Sequence, residues 1–353
     1  MVHRHVKRTF LILFITGLIL TGLFGWLFLG AEKKQEQAIQ QIKERIKPLE
    51  RYTYENLSRS QYKPSEITIG EVLKKDPNYV SYKFYFNIDP QINSGQTKKV
   101  SGQLNVPDAP GPFPVIIMNR GFMEQEGYQS GDGTRRSSEI FATNGFITLA
   151  PDFLGFADSD PQSDNSIEDR FQTYVTVLTL LESIPNLNSA LQTTPVLARA
   201  DSGRVGLWGH SNGGQITLTA LEITGKPYPT VLWAPVTKPF PYSIFYYTDE
   251  FDDHGKALRK AVADFEEDYD AENFSLTNYI DRINAPIQLH QGGADKEVPV
   301  WWSDDFVEAM EEKQKEVEYL IYPGEDHNFL GGSWNTIVLR NIAFYRQSLN
   351  EVK

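Results

Sequence analysis

Cysteine is absent from the 353-residue chain. That excludes disulfide staples, thiolate metal sites and a lipid anchor attached through cysteine. Basic residues are in deficit, with 34 Lys and Arg against 46 Asp and Glu and a net charge of −12. Nucleic-acid binding needs a basic footprint, so nucleic acid is not an expected partner. Docking on an anionic membrane surface is disfavoured for the same reason. The acids clustered from Asp249 to Asp270 do not match a calcium-loop spacing, and neither a metal nor a cofactor is expected. Histidine is scarce at six residues, so each can be weighed individually.

One uncharged run stands out, Thr9 to Gly30. At 1.5 Å per residue it would extend about 33 Å, enough for a bilayer core of roughly 30 Å. Arg4, Lys7 and Arg8 precede it, which keeps an N-terminus of residues 1–8 cytoplasmic. The run exceeds a usual signal-peptide core, and Leu29-Gly30-Ala31 is a poor cleavage site. The expectation is a single-pass membrane protein, its lipid-bilayer partner met through residues 9–30 and the rest of the chain extracytoplasmic. Residues 31–60 are expected to form a juxtamembrane helix and linker, with Ile39, Ile42 and Ile46 at helical spacing.

The most informative stretch is Gly209-His210-Ser211-Asn212-Gly213. The apolar run Val205-Gly206-Leu207-Trp208 precedes it and Gln215 to Leu221 follows. Strand, sharp turn and helix are predicted, with Ser211 at the apex and its hydroxyl exposed above a sheet. Glycines flank the turn because side chains there would collide with strand and helix. The N–H of Asn212 would lie at the positive end of the helix, where an oxyanion is stabilised.

A serine hydroxyl needs a base to take its proton and a carboxylate to orient that base. His3 and His5 lie before the apolar run, His210 sits inside the turn, His254 is in a charged stretch, and His290 ends an apolar run. His327 follows the strand-like Val317 to Tyr322 and a loop, where groups of an open α/β sheet gather. Asp295 follows the apolar run from Pro286 and a glycine pair, 32 residues before His327. One helix near Val300 to Lys315 and one strand fit between them, making the two loops neighbours. Glu297, Glu325 and Asp326 compete as the carboxylate. The loop after the strand Pro114 to Met118 should supply a second oxyanion donor, the N–H of Phe122, with the Tyr128 hydroxyl as a further donor.

Four passages resemble the catalytic domain of the prolyl oligopeptidase family of serine peptidases and its α/β-hydrolase relatives. They are Ala200 to Gly214 around the serine, Ile283 to Pro299 around Asp295, Tyr322 to Phe329 around His327, and Ala150 to Asp160. The similarity extends over roughly residues 95–350. It departs where the family's usual His-Gly reads Arg120-Gly121, and only about seventy residues separate the expected membrane segment from the hydrolase, too few for an N-terminal β-propeller. The resemblance implies a serine hydrolase with Ser211, Asp295 and His327 as triad, Asn212 and Phe122 as oxyanion hole, and a peptide or small acyl substrate.

The fold class expected is α/β, an α/β-hydrolase fold over residues 61–353. Its sheet should be mainly parallel with helices on both faces, preceded by the transmembrane helix. Antiparallel N-terminal strands are read at Ile67 to Val72, Tyr79 to Ile88 and Val100 to Val106. The alternation breaks at about residues 236–280, a helical cap whose aromatics, Tyr246 and Tyr247 among them, are candidates to line a substrate pocket. Glu250 or Asp253 would meet a substrate's free amine, by analogy with aminopeptidase-like members of the family. A peptidase is the leading reading; a carboxylesterase or acetyl esterase of the same fold, and an inactive hydrolase-fold binding protein, are the alternatives.

Overall fold

Strand β4, Phe113–Asn119, shows how the sheet sorts its two faces. Its residues alternate sides because the strand period is two. Val115 and Ile117 enter one apolar cluster with Leu207, Leu232 and Leu289. Ile116 and Met118 enter another with Trp208, Val231 and Trp233. Val115, Ile116, Ile117 and Met118 are fully withdrawn from water, and each such apolar side chain contributes about 1.5–3 kcal/mol.

The computed structural model describes residues 25, 28–35, 47–89, 92–93, 95, 97–248 and 251–351. Among these, nine strands form one sheet in the order β1-β2-β3-β5-β4-β6-β7-β8-β9. Strands β1, Thr68–Lys75, β2, Tyr79–Ile88, and β3, Lys98–Pro107, form the expected antiparallel edge. Beyond them β5, Ile147–Pro151, β4, β6, Ala200–His210, β7, Thr230–Trp233, β8, Ile287–Gly292, and β9, Val317–Tyr322, run parallel to one another. Helices cover both faces. Helix α1, Ser166–Ser183, and α2, Asn212–Thr224, supply Phe171, Val175, Ile216 and Leu221 to the first cluster. The C-terminal helix α5, Trp334–Glu351, brings Ile337, Val338 and Tyr345 to the second. Between β8 and β9 lies α4, Val300–Glu312, in the place expected for a helix.

The chain divides into two compact units, Met1–Pro48 and Leu49–Lys353. The segment expected as linker up to residue 60 therefore belongs in part to the larger unit. Tyr52, Tyr54 and Leu57 are buried in its core, and the Tyr54 hydroxyl shares a 2.7 Å hydrogen bond with Thr219 on α2. The expected membrane span at Thr9 to Gly30 falls largely outside the described residues. Among the described residues no helix is long and apolar enough to cross a membrane. Of the expected cap, residues 249 and 250 lie outside the described set. The rest forms a short turn of helix at Tyr242–Phe245, then α3, Lys256–Asp268, and three 3-10 turns.

Candidate active site

Ser211 sits between the end of β6 and the start of α2 with φ of 56° and ψ of −124°. For a residue with a Cβ this costs on the order of 1–3 kcal/mol, and surrounding contacts must hold it. Its N–H donates to the Trp233 carbonyl at 2.9 Å, while its own carbonyl accepts from Gly214 and Val236 at 2.9 and 3.0 Å. A Cβ on Gly213 would lie 2.0 Å from the Asn119 carbonyl oxygen, so only glycine admits this approach of turn to β4. The Ser211 hydroxyl has no hydrogen-bond partner among the described residues, so it is not held as a structural group.

The loops after β8 and β9 meet as their spacing implied. His327 Nδ1 donates to Asp295 Oδ2 at 2.8 Å, and the two residues are 4% and 8% exposed. That bond places the ring's remaining lone pair on Nε2. Asp295 is held from both sides. Its Oδ1 accepts the backbone N–H groups of Glu297 and Val298 at 2.9 Å each, and its Oδ2 also accepts from Gln291 Nε2 at 3.1 Å. The competing carboxylates are occupied or exposed. Glu325 accepts the N–H groups of Gly331 and Ser333, and Asp326 those of Asn328 and Leu330. Glu297 lies 3.7 Å from His327 Nε2, with a 65% exposed side chain.

His210, which ends β6 inside the turn, ties that turn to the loop of His327. Its Nε2–H donates to the His327 carbonyl at 3.1 Å, and the two rings lie 4.7 Å apart. Desolvation, then the neighbouring His327, push its pKa down to about 3, so this bridge stays neutral through the working pH range. Gln291 and its support, the Ser303 hydroxyl donating to Gln291 Oε1 at 2.8 Å, were likewise missed. Nothing in a buried Gln on a strand marks it beforehand as the partner of an aspartate four residues on.

The loop after β4 passes beside the nucleophilic turn. A Cβ on Gly121 would lie 3.0 Å from Ser211 Cβ and 3.6 Å from its Oγ. The backbone N–H groups of Asn212 and Phe122, the expected oxyanion donors, have no hydrogen-bond partner among the described residues. Both residues line a cavity of about 640 Å³ beside Ser211. Phe153, Phe156 and Tyr174 give it aromatic walls, Phe240, Ile244 and Leu258 of the cap border it, and Asp169 and Arg170 near the start of α1 line it.

Three substrate-contact expectations are corrected. Tyr128 commits its hydroxyl to Asp152 Oδ1 at 3.0 Å, because Asp152 is fully buried and needs donors. Tyr246 and Tyr247 pack on Trp302, at 4.8 and 6.2 Å between centroids, and Tyr247 donates to the Glu297 carbonyl at 3.0 Å. They brace the acid loop and do not line the cavity, since helical rotation turns them from the face that carries Ile244. Asp253 receives the N–H groups of Gly255 and Ala257 at 2.8 Å each, which caps the start of α3; Glu250 lies outside the described residues. The cavity's withdrawn carboxylate is Asp169, pushed up to about 6 by desolvation against the opposing pull of Arg170, Lys98 and Arg120. Among the described residues no cluster of three or more His, Asp or Glu could hold a metal ion.

Residues 190–351 match the model of the prolyl oligopeptidase family. A dipeptidyl peptidase family member 6 from Caenorhabditis elegans is 32% identical over 136 residues, 36% of this chain and 18% of that protein. The uncharacterized peptidase YtmA of Bacillus subtilis is 26% identical over 65% of this chain and 82% of its own length. Among solved structures, a puromycin-hydrolyzing peptidase of Mycobacterium tuberculosis superposes with a TM-score of 0.54 at 20% identity, over 78% of this chain and 40% of that one. Acetyl xylan esterase 1 of Thermoanaerobacterium matches with the same TM-score at 17% identity, over 85% and 94%. The chain thus spans under half the length of two of these peptidases and most of the other two proteins. The fold is that of the α/β hydrolases, and residues 190–351, which carry Ser211, Asp295 and His327, match the prolyl oligopeptidase family.

Proposed function

We propose that the protein is a membrane-anchored, extracytoplasmic serine peptidase with Ser211 as nucleophile, His327 as base and Asp295 as its orienting acid. The observation that carries this reading is the strained Ser211 turn beside a buried His327 whose Nδ1–H is committed to Asp295. Ser211 Oγ attacks the acyl carbon and passes its proton to His327 Nε2. The N–H groups of Asn212 and Phe122 take the developing oxyanion. The imidazolium then protonates the leaving amine, and water releases the acyl-enzyme by the same steps in reverse roles.

Peptide substrates are the first reading, supported by the similarity to peptidases of the prolyl oligopeptidase family. An ester substrate is the second reading, supported by aromatic side chains in the cavity wall and by the match to an acetyl xylan esterase over nearly all of that chain. The test is a matched panel of chromogenic aminoacyl-amides, N-blocked and free, and short acyl esters. Amide turnover is expected; hydrolysis of esters alone would move the protein to the esterases.

The same panel tests Asp169 as the carboxylate that meets a free amine. A carboxyl raised to about 6 is neutral below that pH and charged above it. The ratio of kcat/KM for free over blocked amides should therefore rise as pH increases from 5 to 7, and His327 cancels from that ratio. In Asp169→Asn the ratio should stay flat. A wild-type ratio that does not change with pH removes Asp169 from this role.

Anchoring rests on the uncharged run Thr9 to Gly30 behind Arg4, Lys7 and Arg8. The full chain should stay with membranes through an alkaline carbonate wash, and deletion of residues 1–30 should release it. Release of the full chain by the wash would overturn the anchor.

A further inference from the structure

The loop after β4 opens with Arg120-Gly121, and Arg120 is 5% exposed. Its guanidinium donates through Nη1 to the Gly121 carbonyl and through Nη2 to the Asp152 carbonyl, each at 2.9 Å. The charge sits among aromatic faces, 3.9 Å from the Phe156 centroid, 4.9 Å from Tyr128 and 5.3 Å from Phe153. Asp152 cannot serve as its ion-pair partner, because the carboxylate is already spent. Oδ1 accepts from the Tyr128 hydroxyl and Gly131 N–H, and Oδ2 from the Ser101 and Ser130 hydroxyls. What Asp152 offers Arg120 is its backbone oxygen, presented just before Phe153, whose φ is 68°.

The consequence lies in the geometry of one peptide. In a trans peptide the carbonyl and the next N–H point in opposite directions. A guanidinium holding the Gly121 carbonyl therefore turns the Phe122 N–H to the other side of the strand-end loop. Gly121 is the residue whose backbone closes on Ser211. We infer that Arg120 is the positioning residue of the oxyanion hole: clamped between the Asp152 carbonyl and three aromatic rings, it fixes the Gly121–Phe122 peptide so that the Phe122 N–H faces the acyl oxygen on Ser211. The planar fork suits the task, since its two Nη donors bridge the Gly121 and Asp152 carbonyls in one fixed plane, which an ammonium does not define. A charged donor on the carbonyl also polarises that peptide and strengthens its N–H as a donor. Tyr128 then has a role after all, beneath the guanidinium and on Asp152.

This inference rests on the assignment of Ser211 as nucleophile, and its test separates the two. The full chain and its Arg120→Lys variant are compared on the panel substrate turned over fastest, and in binding a trifluoromethyl ketone that forms a hemiketal with the serine. A positioned oxyanion donor acts on the transition state and not on ground-state binding. A lost donor costs about 10²–10³-fold and a mispositioned one somewhat less. In Arg120→Lys, kcat should fall about 30- to 100-fold, the ketone should bind more weakly by a similar factor, and KM should stay within about threefold. A merely structural arginine would lower the folded fraction and leave kcat per active site and ketone affinity unchanged; that result overturns the inference. Should Arg120→Lys not fold, Tyr128→Leu, which lies off the substrate cavity, takes its place. A drop of about tenfold in kcat at constant KM supports the clamp, and unchanged kcat overturns it. Turnover that persists in Ser211→Ala would instead remove the underlying nucleophile assignment.

Discussion

Ser211→Ala should lower kcat by about 10⁴- to 10⁶-fold on whichever panel substrate the protein hydrolyses, with KM changed only a few-fold. The size of the loss follows from the division of labour at the site. Without Oγ no acyl-enzyme can form, and only the oxyanion donors and the binding cavity remain to assist water. The variant should be as well folded as the wild type. The strain at φ of 56° is the same for alanine as for serine, and the hydroxyl supports no hydrogen bond among the described residues. Melting temperature and cavity-ligand binding are the controls. A variant keeping more than a hundredth of wild-type kcat would place the nucleophile elsewhere. Wild-type protein with no turnover, combined with a Ser211→Ala form that keeps full cellular function, would favour a hydrolase fold used for binding.

Asp295→Asn should cost nearly as much, about 10⁴-fold in kcat, and the hydrogen bonds say why. Oδ1 accepts two backbone N–H groups, from Glu297 and Val298. An amide nitrogen cannot take that position, so the asparagine oxygen must occupy it. The NH₂ is then forced to the place of Oδ2, where it confronts the Gln291 Nε2 donor and the His327 Nδ1–H. Relief comes by moving the His327 proton to Nε2, which removes the lone pair that should accept from Ser211. The variant is expected to keep substrate affinity and to lose turnover. The check is kcat and KM on purified protein, with stability followed by thermal unfolding. A loss below about tenfold would transfer the orienting role to another carboxylate, and Glu297 at 3.7 Å from His327 Nε2 would be the next to replace.

Ser211 is marked by a local pattern: an apolar run, two close glycines and a helical run, all within one strand–turn–helix unit. The role of Asp295 depends on which oxygen of one carboxylate faces which donor, and tertiary contacts decide that. Side chains of the cap illustrate the same boundary. An aromatic-rich stretch was legible at Phe240 to Tyr247, yet which rings face the cavity turns on the helical phase of a single short turn. Phe240 and Ile244 line it, whereas Tyr246 and Tyr247 lie against Trp302. Asp253 read as a ligand for an amine and proved to be a helix cap, because backbone N–H groups at a helix start compete for any nearby carboxylate.

By itself, the sequence determined the alternation of strands and helices, the antiparallel edge before the parallel sheet, and the chain order of Ser211, Asp295 and His327. These are written in short-range periodicity and in spacing, since burial on one face repeats every two residues in a strand and about every 3.6 in a helix. Only the tertiary structure decided that His210 bridges to the His327 carbonyl across 117 positions, that Tyr128 serves Asp152 and not the oxyanion, that Asp169 is the carboxylate drawn into the cavity, and that Arg120 holds the Gly121 carbonyl. Arg120 is the sharpest case. In sequence it is an unexpected residue in a familiar place, and its meaning depends on a carbonyl 32 positions away and three aromatic rings. Such contacts are absent from any local pattern because folding, not proximity along the chain, brings their atoms within reach.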